Sequence, residues 1–207
     1  MVVVFYLLIW GLAQPEALNS VAIPAADIQN GKQPNIVLIL TDDQRWDTLW
    51  AMPTLQAELA KPGITFTNGF VVNSLCCPSR ASILTGQYSH STDVYRNEFP
   101  HGAFEAFNDK STVATWLQEV GYKTSFIGKY LNHYEGPYVP PGWDNWEAFN
   151  GLPAYYGYGL AINGEIQNFG REESDYSTDV LANEAVSFIT NNEGPIFLVY
   201  APYVGGG

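Results

Sequence analysis

Cysteine is scarce in this 207-residue chain: only Cys76 and Cys77 are present, side by side. Adjacent thiols close no long loop, so a disulfide framework is excluded and cysteine use leaves the redox compartment open. Basic residues are few as well. Nine Lys plus Arg stand against 21 Asp plus Glu, a formal net charge of −12. That balance excludes general nucleic-acid binding. An anionic partner would have to be met by local positive charge, for which Arg80, Lys129 and a metal ion are the candidates. The three histidines show no H-x-x-x-H spacing, which argues against a zinc phosphatase. Internal repeats and charge blocks are absent too. Gly157-x-Gly159 starts like a dinucleotide fingerprint, but Ile162 takes the third glycine's place.

Long apolar runs are missing in the same way. Met1–Ala13 (MVVVFYLLIWGLA) falls short of the roughly 18 apolar residues of a membrane helix. It has the length of a secretory h-region, with small-residue cleavage candidates such as Ser20-Val21-Ala22, although no Lys or Arg precedes it. Residues 1–22 are therefore expected to be a signal peptide and 23–33 a linker, with no stable membrane span. Such a leader implies a secreted, periplasmic or lysosome-like location.

What is present is the material of a core: 46% hydrophobic and only 14% charged residues, in a length suited to one domain. Asn35–Leu40 is a continuous apolar run, the pattern of a strand buried on both faces of a parallel sheet. Ile64–Val71 reads as a second extended segment. A helix capped by Ser111 carries Val113, Trp116, Leu117 and Val120 on one face and closes at Gly121. Lys123–Ile127 follows as a strand, making a helix-to-strand unit of an α/β fold. Asn163-Gly164 between apolar residues predicts a hairpin. Ser177 reads as the cap of a helix running through Asn191, with Leu181, Ala185, Phe188 and Ile189 on one face, and Pro195–Ala201 as another buried strand.

The chemistry concentrates in Cys76-Cys77-Pro78-Ser79-Arg80-Ala81-Ser82-Ile83-Leu84-Thr85-Gly86. Pro78 suits the first position of a helix and Gly86 the position just past its end. Cys76 and Cys77 would then sit where free N–H groups favour negative charge, with Arg80 one turn on. A buried cysteine pair on an ordinary helix fits the same residues. Asp42-Asp43 follows the first strand at its carboxyl end, where ligands bind in open α/β sheets. Two adjacent carboxylates there call for a cation, or are simply a turn or helix cap. Lys129 follows the 123–127 strand at the same kind of position.

Cys-x-Pro-Ser-Arg followed by Leu-Thr-Gly resembles the motif of the type I sulfatases, which are alkaline-phosphatase-like in fold. The resemblance runs from about residue 33 to 203. It implies a sandwich with a central, mostly parallel sheet flanked by helices, truncated here on the C-terminal side. It also implies that Cys76 is oxidised to formylglycine by a formylglycine-generating enzyme, with Cys77 in the variable slot. One hydroxyl of the hydrate would attack sulfur, and loss of the other's proton would expel sulfate. By position Asp42, Asp43 and the modified Cys76 would bind Ca²⁺ or Mg²⁺, Arg80 would hold oxygens on the metal side, and Lys129 the sulfate.

Many sulfatases carry Gly-Lys-Trp-His where this sequence has Gly128-Lys129-Tyr130-Leu131, so the family histidine is replaced by Leu131. The run Gly128–Asn132, the Pro140-Pro141-Gly142-Trp143 segment with Trp146, and the doubled cysteine instead resemble the branch of N-acetylglucosamine-6-sulfatases and heparan endosulfatases. That branch implies removal of 6-O-sulfate from N-acetylglucosamine units, with Asn132, His133 and the loop residue His90 as candidate substrate contacts. Trp143 and Trp146 read as packing rather than as a sugar platform. Another sulfate or phosphonate ester, or a role in binding sulfated glycans without turnover, are the alternatives. Tyr203 and the terminal glycines stand where the family has a histidine-bearing loop. No segment supplies its later Asp-Asn ligands or second lysine. The chain is therefore expected to be the N-terminal part of a longer enzyme, inactive alone.

Overall fold

A computed structural model describes residues 33–204. The expected signal peptide and nearly all of the linker lie outside the described residues. Six strands form one mixed sheet in the order β1-β6-β2-β3-β4-β5: β1 Ile36–Ile39, β2 Lys123–Gly128, β3 Asn145–Asn150, β4 Gly159–Ile162, β5 Glu165–Asn168 and β6 Ile196–Ala201. The first four in spatial order run parallel. β3, β4 and β5 pair antiparallel. Asn163 (φ 48°) and Gly164 (φ 95°) form the β4–β5 turn, where positive φ at both positions matches the sheet's twist.

The interior strands alternate between two cores, as the two-residue period requires. Phe126, Trp146, Ala148, Ala161, Phe197 and Val199 point to one face, joined by Cys77, Ala81 and Leu84 of α1 (Cys76–Thr85) and Ala114 of α2 (Val113–Glu119). Ile127, Phe149, Leu160, Ile196 and Leu198 point to the other, against Leu181, Ala185 and Phe188 of α3 (Ser177–Asn191). Burial on both faces explains why β6 reads as an unbroken apolar run. Trp143 and Trp146 are packing residues: Trp146 stacks on Phe126 at 4.8 Å between ring centroids and Trp143 on Phe197 at 5.7 Å.

Four expectations need correction. β1 pairs only with β6 among the described residues, and Ile36, Val37 and Ile39 are exposed. Its apolar run makes a strand, not one buried on both faces. Ile64–Val71 forms no strand: Ile64, Phe66, Phe70 and Val71 are all exposed. Pro78 is the third residue of α1 rather than the first. Its missing N–H is still harmless there, because the first turn's donors have no partner within the helix. The residue before α2 is Thr112, whose N–H donates to the Thr115 hydroxyl at 3.0 Å, while Ser111 accepts the Trp116 indole N–H at 2.9 Å. At the other end of α1, Gly86 adopts φ 68° and donates its N–H to Ser82, the left-handed close expected of a glycine.

Candidate active site

Three chain segments meet around Cys76. Leu40 continues the β1 pairing through its N–H to Tyr200. Asp42 and Asp43 then turn away, with Asp43 in a left-handed conformation at φ 52°. α1 brings Cys76 and Arg80. β2 ends at Gly128, whose φ of 122° and close approach to the Ala201 carbonyl, 2.1 Å from where a Cβ would stand, admit no side chain. Lys129 N–H then bonds Ala201 O at 2.8 Å, which fixes where its side chain starts.

Asp42 is 4% exposed and accepts from two cations: Lys129 Nζ at 2.7 Å and Arg80 Nη2 at 3.3 Å. Arg80 also donates through Nη1 to the Lys129 carbonyl. Burial pushes the Arg80 guanidinium down from its ordinary value, and Asp42 opposes that shift. Lys129 Nζ lies 3.5 Å from Cys76 Sγ and 6.0 Å from the centre of the Tyr203 ring. A ligand atom from each of Asp42, Asp43 and Cys76 falls within 4.8 Å of the others. Cys76 is half-buried and opens onto a cleft of about 550 Å³ whose wall includes Asp43, Asn97, Lys129, Asn132, His133 and Tyr203.

Six of the seven polar candidates other than Cys76 therefore gather: Asp42, Asp43, Arg80, Lys129, Asn132 and His133 surround it or line its clefts. His90 does not join them. It sits exposed in the short helix Ser89–Thr92, stacked on Tyr88 at 5.7 Å, and lines neither cleft at Cys76. His133, at φ 64°, pairs with Glu98 at 3.0 Å. Leu131, in the family histidine's place, is 3% exposed in the core.

Sequence reading missed three contributors. Asn97 caps the N-terminus of α1 from a distant loop, accepting the Cys77 N–H through Oδ1 at 2.9 Å. Tyr203 adds its ring face beside Lys129. Cys77 is wholly buried and bonded to Asn132, and burial pushes its thiol up to about 11. No spacing rule reports a cap supplied from a remote loop, and the doubled cysteine hinted at Cys77 only through its neighbour.

A family model described as Sulfatase matches residues 34–204. The chain is 40% identical over 187 residues to N-acetylglucosamine-6-sulfatase of Homo sapiens, covering 82% of this chain and 34% of that protein. It is 36% identical over 167 residues to an extracellular sulfatase SULF-1 homolog of Drosophila melanogaster, covering 78% of this chain and 15% of that protein. Among solved structures it resembles BT4656 in complex with its substrate D-glucosamine-2-N,6-O-disulfate, with TM-score 0.69 and 29% identity over 83% of this chain and 34% of that one. The chain thus spans about a third or less of the length of these relatives.

Proposed function

The chain belongs to the sulfatase family, and from that premise we propose that its residues serve hydrolysis of sulfuric esters, removing 6-O-sulfate from N-acetylglucosamine units of glycans. One observation carries the reading: Cys76 opens a helix with Lys129 Nζ 3.5 Å away and two carboxylates in reach. The names of the human relative and the substrate of BT4656 support the 6-sulfated glucosamine unit. The extracellular naming of the fly relative supports action outside the cytoplasm.

Asp42 and Asp43 suit a hard divalent cation, Ca²⁺ or Mg²⁺, because both offer carboxylate oxygens close enough to repel each other without one. They would hold it together with residue 76. Conversion of Cys76 to formylglycine supplies a hydrated aldehyde as nucleophile, and the cation supplies Lewis-acid polarisation.

The rest falls to fixed side chains. Lys129 places a positive charge beside residue 76, where it binds a sulfate oxygen and stabilises charge that builds as the ester breaks. Arg80 holds Asp42 and the Lys129 carbonyl at once, so carboxylate and lysine keep one relative position. The positive end of the α1 dipole adds to the anion-receptive field beside residue 76. Asn132 and His133, on the cleft wall, meet the sugar.

The test pairs mass spectrometry of the Cys76 peptide with sulfate release from N-acetylglucosamine 6-sulfate, before and after chelation. Maturation with cation-dependent release supports the proposal. Release only from another sulfate or phosphonate ester redirects it to that substrate, and binding without release reduces it to glycan recognition. Matured, cation-loaded protein that neither binds nor cleaves the sugar overturns it.

A further inference from the structure

We propose that Cys77 is a positioning residue, whose thiol fixes Asn132 and the cleft-lining loop Lys129–His133 against the start of α1. The inference rests on the sulfatase reading for what the cleft binds, and on geometry for what Cys77 does.

Cys77 is 0% exposed, with Sγ aimed at Asn132 rather than at the cleft. The backbone N–H of Asn132 donates to that sulfur at 3.1 Å, and the thiol donates to Asn132 Oδ1 at 3.5 Å. One sulfur thus holds both the backbone and the amide of a residue that lines the cleft. Three residues on, Arg80 donates to the Lys129 carbonyl. Positions three apart share a helix face. The same face of α1 therefore fastens both ends of the segment Lys129–Asn132, and the Asn132 carbonyl is held in turn by the Phe104 N–H at 2.9 Å.

Removing the thiol leaves Arg80 as α1's hold at the lysine end, while the asparagine end loses its two bonds to α1 and keeps only the Phe104 N–H on its carbonyl, about which the amide can pivot. Cys77 does not touch the sulfate or residue 76's reacting atom. Its effect reaches the ligand through Asn132 and the loop. The two adjacent cysteines divide the work: Cys76 faces the cleft, and Cys77 holds the cleft's wall in place.

The alternative is that Cys77 only fills space, and two variants separate the two. Cys77→Val keeps bulk but has no donor or acceptor, whereas Cys77→Ser keeps both at some loss of reach. Amide hydrogen exchange at Asn132, calorimetric affinity for N-acetylglucosamine 6-sulfate and thermal melting are measured on the 207-residue chain and both variants. In Cys77→Val the Asn132 amide is expected to exchange about tenfold faster and the sugar to bind about five- to tenfold more weakly. Cys77→Ser is expected to recover both to within about threefold of the parent.

A Cys77→Val protein that melts lower yet binds like the parent overturns the proposal. So does a serine variant no better than the valine one. If the parent itself binds no sulfated sugar, the functional reading fails and Asn132 exchange alone decides. Protection kept by serine and lost by valine then supports the positioning role, and equal protection in both overturns it.

Discussion

β1 and β2 each end in a charged residue that reaches the site, Asp42 after one and Lys129 after the other, but they are held by different means. β2 is an interior strand whose residues from Thr124 to Gly128 are all buried, and its exit is pinned by the Lys129 N–H to Ala201. β1 is an edge strand among the described residues, with Ile36, Val37 and Ile39 exposed. Asp42 is nevertheless buried, because Arg80 and Lys129 close over it from α1 and from the β2 exit. One side of the site is secured by backbone and core, the other by ion pairs between separate elements. The β1 side should therefore respond to charge deletion, and the β2 side to loss of packing.

The largest effect should come from cutting the ion pairs. Asp42→Asn leaves two buried cations without the carboxylate that both of them contact. It should cost about 3–5 kcal/mol in denaturant unfolding and abolish cation affinity. A loss within about 1 kcal/mol would mean that β1 is held by something other than these pairs.

Truncating apolar residues on the two strands should separate them next. Ile127→Ala, in the core under α3, should cost about 2–5 kcal/mol, whereas Val37→Ala on β1 should cost about 1 kcal/mol or less. Equal costs would erase the distinction between the strands.

The smallest of the three lies at the start of β2. Asp144 accepts from the Thr124 N–H at 3.0 Å and from its hydroxyl, and pairs with Lys123 at 3.6 Å. Partial burial raises the carboxyl's affinity for its proton, but the Thr124 bonds, Lys123 and Gln118 outweigh that and hold it below its ordinary value of 3.8. A depressed carboxyl contributes stability above its unfolded value and loses it as pH falls through the folded one. Unfolding monitored from pH 6 down to 2 should therefore show a small loss of stability as the pH falls below the carboxyl's ordinary range, a loss that Asp144→Asn lacks. Parallel pH curves for the two proteins would remove Asp144 as an anchor of β2.

The same contrast marks what could be read from residue order. β6, α2, α3 and the Asn163-Gly164 hairpin were legible because each states a local rule: a buried run, a helical period, a turn pair. The place of β1 in the sheet was not, since an apolar run specifies extended backbone but not how many neighbours it acquires. Ile64–Val71 shows the limit more sharply: its composition favours a strand, yet none of the described strands pairs with it. In the site, residue order put Asp42, Cys76, Arg80 and Lys129 at strand ends and a helix start, where α/β sheets bind ligands, but only the resemblance to the sulfatases favoured a catalytic reading over a turn and a buried cysteine pair. Asn97 and the thiol of Cys77 were not legible, because their partners lie 20 and 55 residues away across loops without a period.

Lys129 and Arg80 are two of only nine basic residues in a chain of net charge −12, and both are buried. On the proposed function, a sulfated sugar approaching from solution would therefore meet repulsion first and feel the attractive pair only at close range. Raising ionic strength towards 0.1 M shortens the reach of that repulsion to about 10 Å. Encounter with the cleft should then become faster as salt is added, the reverse of what a basic, anion-steering surface would give.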